Sequence, residues 1–301
     1  MKEARLPTIF VFDLDETMIG VSNHVSTAVD LYEFIHNGIS LRKIPFSGKK
    51  KAFVKSHGDF AAPNILRPHF KEGMEAIKRH YPTAEFFVYS AGTFDYVISF
   101  VKWIERLTGI TFRRPIFARH NTMSSETSSY VKSIEYHAPA MMDVLEADYP
   151  ALSKLENRKQ VTDYRMIHID DRANILWEGP QKLINCPGYD FEQFFDITEG
   201  IDKALISHPS VQEYLKNQTR YNKSNPYVIP ENATEDKGKA HYHLAMFEIY
   251  NSLVEKNAKA LQDDFFVRFP KALSRFKSLK RPFTSANVKK INDELSNSKK
   301  S

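Results

Sequence analysis

The residues best suited to chemistry stand at Asp13-Leu14-Asp15-Glu16-Thr17, directly after the apolar run Ile9-Phe10-Val11-Phe12. A strand buried on both faces is continuously apolar, and an open α/β sheet binds its ligands at the carboxyl ends of its strands. Two carboxylates at such an end can divide the work. One binds a metal and attacks phosphorus as an aspartyl nucleophile, while the other handles protons. A lone D-x-D is equally an acidic turn that stops a strand, so residues elsewhere decide its meaning.

Three further segments bear on it. The run Glu85-Phe86-Phe87-Val88-Tyr89 ends in Ser90-Ala91-Gly92-Thr93, where a hydroxyl followed by small residues lets backbone N–H groups approach an anion. The run from Tyr164 to Ile169 ends in Asp170-Asp171, which in isolation would serve as a helix cap facing Arg172. Acid pairs from two strand ends give four carboxylates that one sheet edge could gather, and such crowding is costly without a cation. Mg²⁺ suits it, because it takes oxygen ligands and pairs one or two carboxylates with substrate phosphate. Phosphoryl transfer also needs a fixed positive charge. Lys132, in Tyr130-Val131-Lys132, and Lys154, in Leu152-Ser153-Lys154, are the candidates, although most lysines are simply surface residues.

The elements that must position these groups follow from hydrophobic periodicity. Strands are expected at residues 8–15, 85–89, 115–118 and 164–169, with a fifth at 182–186. Helical spacing runs over 25–36, 94–107 and 138–155, and later over 201–216 and 241–262. Pro68 of Arg67-Pro68-His69 suits a first helical position. The basic stretch Leu41 to Lys51 and the polar stretch Ser124 to Ser129 read as loops. Strands alternating with helices predict an α/β fold with a doubly wound, mainly parallel Rossmann-like sheet. The expected division is an α/β domain at 1–200 and a basic, mainly helical C-terminal extension at 201–301 that frays after Pro282.

Composition narrows the class. The chain has 301 residues and a formal net charge of +5, and the positive excess lies late. Residues 1–200 hold 24 Lys and Arg against 26 Asp and Glu, and residues 201–301 hold 18 against 11. A basic tail can meet nucleic acid, acidic protein or anionic lipid. Cys186 is the only cysteine, so no internal disulfide can form; it reads as a small core residue, and a reducing compartment, cytoplasm or nucleus, is expected. No run approaches the length of a membrane span, and no signal-peptide pattern is expected at the amino terminus.

The motifs Asp13-Leu-Asp15-Glu-Thr17-Met18, Arg67-Pro68-His69, Tyr89-Ser90-Ala-Gly-Thr93 and Ile169-Asp170-Asp171-Arg172 with Trp177 resemble, in order as well as in kind, the haloacid-dehalogenase superfamily. Within it they resemble the Fcp/Scp group of RNA polymerase II C-terminal-domain phosphatases. The resemblance covers residues 8 to about 197. It implies that Asp13 forms an aspartyl-phosphate, that Asp15 is the acid and base, that Thr17 orients the loop and that Ser90 binds a phosphate oxygen. Mg²⁺ would be held by the Asp13 side chain, the Asp15 carbonyl and Asp171, with Asp170 in support. Tyr130-Val131-Lys132 resembles the family's lysine context, so Lys132 is preferred, with residues 135–160 as an insertion; Lys154 has the more family-like spacing to Asp170.

The implied function is a Mg²⁺-dependent phosphoserine/phosphothreonine protein phosphatase, with the polymerase tail as one substrate. A small-molecule or nucleic-acid 3′-end phosphatase is the first alternative, for which the basic extension could contact nucleic acid. A non-catalytic, phosphatase-like scaffold is the second; it has little reason to keep acids that repel one another.

Overall fold

The buried apolar run Thr8–Phe12 forms the first strand (β1), and the chain is built around it. The computed structural model describes residues 5–38, 56–123, 130–194, 205, 207–219 and 235–297. The expected loops at 41–51 and 124–129 lie outside these residues, as does most of the expected helix start at 201–206. The remaining strands are β2 (Ala84–Val88), β3 (Met166–Asp170) and β4 (Leu183–Asn185). They form one sheet in the order β2-β1-β3-β4, parallel throughout. The fold is the expected α/β class with a parallel sheet and a helical C-terminal region.

The chain divides into two compact units. One comprises Met1–Val21, Ala62–Asp190 and Leu261–Ser301; the other comprises Ser22–Ala61 and Phe191–Ala260. This division does not follow a single break at residue 200, because the last forty or so residues belong with the sheet.

Within the sheet unit, side chains alternate across β1 as strand geometry requires. Ile9 and Val11 face a core made with Phe87, Met166 and Leu183. Helix α5 (Ile134–Leu145) adds Ile134, Ala138, Met141 and Leu145 to it, and α6 (Leu155–Tyr164) adds Val161. Residues 135–160, expected as an insertion, thus form the layer that covers one sheet face. The helix expected over 138–155 is in fact two, parted at Asp148-Tyr149-Pro150 by a short 3₁₀ turn at Pro150–Ser153, since Pro150 supplies no N–H to continue the ladder.

Phe10 and Phe12 point to the opposite face. Their rings meet those of Tyr81, Phe86, Phe266 and Phe283 at centroid distances of 5.6 to 6.4 Å. Phe266 belongs to α9 (Phe265–Ser274), which packs on α3 (Phe70–His80) so closely that a Cβ on Gly73 would lie 2.6 Å from the Phe266 carbonyl oxygen. The final helix α10 (Ser285–Asn297) buries Val288, Ile291 and Leu295. The expectation that the chain frays after Pro282 is therefore wrong. An apolar stripe at helical spacing underlies its lysines.

Two further expectations need correction. Pro115–Ala118 is no strand; it contributes one parallel bridge, Phe117 to Tyr89. Pro68 precedes its helix, and His69 stands at the N-cap with φ +59°. Helix α4 (Phe94–Thr108) closes on Gly109 at φ +73°, a left-handed stop that favours glycine.

The second unit holds α1 (Asn23–Gly38), the one-turn α2 (His57–Phe60), α7 (Pro209–Thr219) and α8 (Glu235–Ala260). Tyr32 packs on Phe60 and Phe34 stacks on Tyr214. Asn257 pairs through both side-chain atoms with the Glu192 backbone at 2.8 Å. None of the described helices is long and apolar enough to cross a membrane.

Candidate active site

Sheet register decides which residues meet. Phe12 pairs with Ile169 on one side and with Val88 on the other. One step further along each strand, Asp13 comes level with Asp170 and Tyr89. The Asp13 N–H donates to the Ile169 carbonyl (2.9 Å), and the Tyr89 N–H donates to the Phe12 carbonyl (2.9 Å). Three strands thus deliver Asp13, Ser90 and Asp170-Asp171 to one edge, as the strand ends imply.

Lys132 joins them from a loop. Its N–H donates to the Ile175 carbonyl and its carbonyl accepts from the Trp177 N–H, both at 2.9 Å, so the backbone of residue 132 is stitched alongside Leu176. The buried ammonium reaches inward, with Nζ 2.6 Å from Asp13 Oδ1 and 2.7 Å from Asp170 Oδ2. Lys154 stands exposed at the start of α6. Of the two lysines considered, Lys132 is the one brought to the acids.

The loop between Asp13 and Met18 is fixed by its backbone. Glu16 takes a left-handed φ of +54°, uncommon for a residue with a Cβ, and its carbonyl accepts the Tyr189 N–H at 2.7 Å. Thr17 is fully buried. Its hydroxyl accepts the Asp171 N–H at 3.1 Å and lies 3.4 Å from Asp171 Oδ1 and 3.5 Å from the buried Cys186 sulfur. Asp15 turns away from this group. Its carboxylate accepts from Ser90 Oγ (3.4 Å) and from the Tyr96 hydroxyl. Ser90 Oγ accepts the Gly92 N–H at 3.0 Å.

Charge is out of balance here. Oxygens of Asp13, Asp170 and Asp171 lie within 4.8 Å of one another, and Lys132 is the ammonium among them. Burial lifts the Asp13 carboxyl, Lys132 pulls it back, and Asp170 and Asp15 add to the rise, leaving it well above the usual carboxylate range. Burial also lifts Asp15, against Tyr96, Lys132 and Ser90. Burial, then Asp170 and Glu16, push Asp171 up to about 6. At Asp170 burial is outweighed by Lys132 and by the His168 hydrogen bond, and the carboxyl stays low. Lys132, for its part, is held above its ordinary value by Asp13 and Asp170 despite its burial. The protein thus favours the anion at Asp170, while burial and neighbouring acids disfavour it at Asp13, Asp15 and Asp171. The surplus of oxygen ligands and negative charge fits a small hard cation.

Motif reading missed three contributors. His168 donates or accepts at Nε2, 3.0 Å from Asp170 Oδ2. Its place two residues before Asp170 on the same strand face could have pointed to it. Tyr96 lies in the first turn of α4, which the Ser90 motif opens. Arg67, quoted in a helix opening and in the motif Arg67-Pro68-His69 but given no role, sits fully buried against the loop, with Nη1 3.2 Å from the Thr17 carbonyl.

Residues 8–223 match the family model of the NLI interacting factor-like phosphatases. The chain belongs to that family. The earlier likeness to Fcp/Scp phosphatases agrees with it. No match was found among curated proteins. Two solved structures are similar to this chain. One is of Fcp1, an essential RNA polymerase II C-terminal-domain phosphatase, at 16% identity over 94% of this chain and 69% of that one, with a TM-score of 0.36. The other is of fission yeast Fcp1 bound to beryllium fluoride, at 14% identity over 89% and 71%, with a TM-score of 0.33. The family match stops at residue 223, so α9 and Phe283, whose rings meet Phe12 and Phe10, lie beyond it, as does α10.

Proposed function

We propose that the protein is a Mg²⁺-dependent phosphatase that works through an aspartyl-phosphate and acts on phosphoserine or phosphothreonine in proteins, the RNA polymerase II tail being one such substrate. The observation that carries this reading is Lys132 Nζ set between Asp13 and Asp170 beside a third carboxylate, Asp171, at the end of a parallel sheet. Asp13, Asp171 and the Asp15 carbonyl would hold the Mg²⁺, with Asp170 close by. When bound, the ion would neutralise these acids and draw charge from the phosphoryl oxygens.

The chain's own groups supply the rest. An Asp13 carboxylate oxygen attacks phosphorus as the ester P–O bond breaks, and Asp15 gives its proton to the departing oxygen. The raised pKa of Asp15 favours a proton held for that step. Asp15, now a carboxylate, takes a proton from water, whose oxygen attacks the same phosphorus. The bond to Asp13 then breaks, inorganic phosphate leaves and the acid is restored. Lys132 and Ser90 stabilise phosphoryl oxygens, and Thr17 keeps the loop against Asp171.

Substrate class is tested by comparing Mg²⁺-dependent rates of the full chain on phosphoserine peptides, nucleotides and 3′-phosphorylated oligonucleotides. The proposal expects the peptides to be turned over with the highest kcat/KM. Preference for the oligonucleotides would overturn the protein-phosphatase reading and favour a nucleic-acid-end enzyme.

A further inference from the structure

We propose that Asp263 is a positioning residue of this site, acting through Arg67. The proposal rests on the phosphatase reading above. Arg67 is fully buried and every N–H of its guanidinium has an acceptor. Nε and Nη2 grip the two Asp263 oxygens at 2.7 and 2.8 Å. Nη2 also donates to the Pro187 carbonyl at 2.8 Å, and Nη1 to the Thr17 and Glu16 carbonyls at 3.2 and 3.5 Å. The Arg67 backbone N–H adds a bond to the Met18 carbonyl at 2.9 Å.

Arg67 therefore holds three successive carbonyls of the catalytic loop, Glu16 to Met18, alongside the bonds from Tyr189 and Asp171. Glu16, left-handed between the two working carboxylates and Thr17, needs such bonds to keep a conformation its side chain disfavours. Arg67 can aim three donors at backbone carbonyls because its planar fork is oriented bidentately by a carboxylate. The ring of Phe265, 4.6 Å below the guanidinium carbon, closes the other face. Take away the Asp263 charge and a buried cation loses its counter-ion and the loop its anchor. Asp263 lies 40 residues past the end of the family match at residue 223, so part of what fixes the nucleophile would come from a stretch that the motifs do not mark. Asp263 touches no reacting atom; it acts at the second remove.

The test uses the full chain, an aryl phosphate and Mg²⁺, with hydrogen exchange followed at the amides of residues 14–18. Asp263→Asn is expected to lower kcat by about ten- to a hundredfold while KM moves less than about threefold, the cost of a loosely held reacting group. Exchange should quicken at residues 14–18 and stay unchanged in β1, β2 and β3. Asp263→Glu, which keeps the charge and both oxygens, should recover most of the rate, and it carries both readouts if Asp263→Asn does not fold. An active wild type with an Asp263→Asn kcat within about twofold of it, or a lower kcat with unchanged loop exchange, overturns the positioning role and leaves the phosphatase reading standing. Faster exchange across the whole sheet also overturns it, since that marks a general loss of stability. A folded wild type without turnover overturns the phosphatase reading, and this inference with it.

Discussion

At the scale of single residues the site turns on one ammonium among several acids. Lys132 neutralises Asp170 and touches Asp13, so its removal should leave the nucleophile facing like charges and the phosphoryl group without a fixed cation. Lys132→Ala is expected to lower kcat by about a hundredfold or more, as loss of a preorganised charge does. Lys154→Ala should sit within about twofold of wild type, as for an exposed side chain away from the chemistry. Steady-state rates on an aryl phosphate decide it, and a large loss confined to Lys154→Ala would contradict the assignment. The acids and Ser90 were legible in the sequence because each ends an apolar run, and strand ends are where such sheets bind ligands. Lys132 was legible only through its local motif, since its loop is drawn in by backbone pairing with Ile175 and Trp177 that no spacing rule foretells. Tyr96 was not singled out, and Arg67 was quoted in a helix opening and a motif without a role of its own. Their partners, Asp15 and Asp263, are 81 and 196 residues away, beyond any local pattern.

At the scale of elements, α4 and the segment after it are tied by a charged clasp. Glu105 accepts from Arg114 through both oxygens at 2.8 and 2.9 Å and from the Phe112 N–H at 2.9 Å. Burial pushes the Glu105 carboxyl up, but the Arg114 and Phe112 hydrogen bonds outweigh it and hold it below its ordinary value of 4.5. A carboxyl lowered in the folded state contributes stability above its unfolded pKa and loses it as pH falls through the folded one. Glu105→Gln should therefore be less stable than wild type at pH 7, by about 0.5 to 1 kcal/mol for a partly exposed pair. The two should converge toward pH 3. Urea unfolding at both pH values checks this, and a constant difference across the range would contradict it. Strands β1, β2 and β3 were legible because Ile9 to Phe12, Phe86 to Tyr89 and Met166 to Ile169 are short runs dominated by apolar residues and bounded by polar ones. The short 115–118 run failed as a strand because its pairing is limited to one bridge with Tyr89. The split of α5 from α6 was missed because apolar spacing continues through Tyr149 and Leu152 while Pro150 interrupts the backbone ladder.

At the scale of the whole molecule, the final segment is core rather than appendage. Phe265, Phe266, Phe269 and Phe283 are all buried, and Phe266 and Phe283 meet the rings of Phe12 and Phe10. Burial of four such rings contributes on the order of 8 kcal/mol, which is comparable to the net stability of a typical domain. A chain ending at Ala260 is expected to lose cooperative unfolding and to bind a hydrophobic dye, read by near-ultraviolet circular dichroism and dye fluorescence. A truncated chain that unfolds cooperatively at the wild-type midpoint would contradict this packing. The sequence suggested a basic, fraying tail because lysines and arginines dominate the count there. Its packing on β1, more than 250 residues earlier, is a long-range property, invisible to composition. The same distance explains why the two units interleave along the chain and no single boundary separates them.

The central claim is that Asp13 carries the phosphoryl group, and trapping that bond tests it most directly. The full chain is mixed briefly with an aryl phosphate and Mg²⁺, quenched in acid, reduced with borohydride and mapped by peptide mass spectrometry. The account predicts reduction at Asp13 and at none of Asp15, Asp170 or Asp171, together with loss of both the mark and turnover in Asp13→Asn. Turnover without a mark at Asp13, or an Asp13→Asn variant that keeps the wild-type rate, would contradict it.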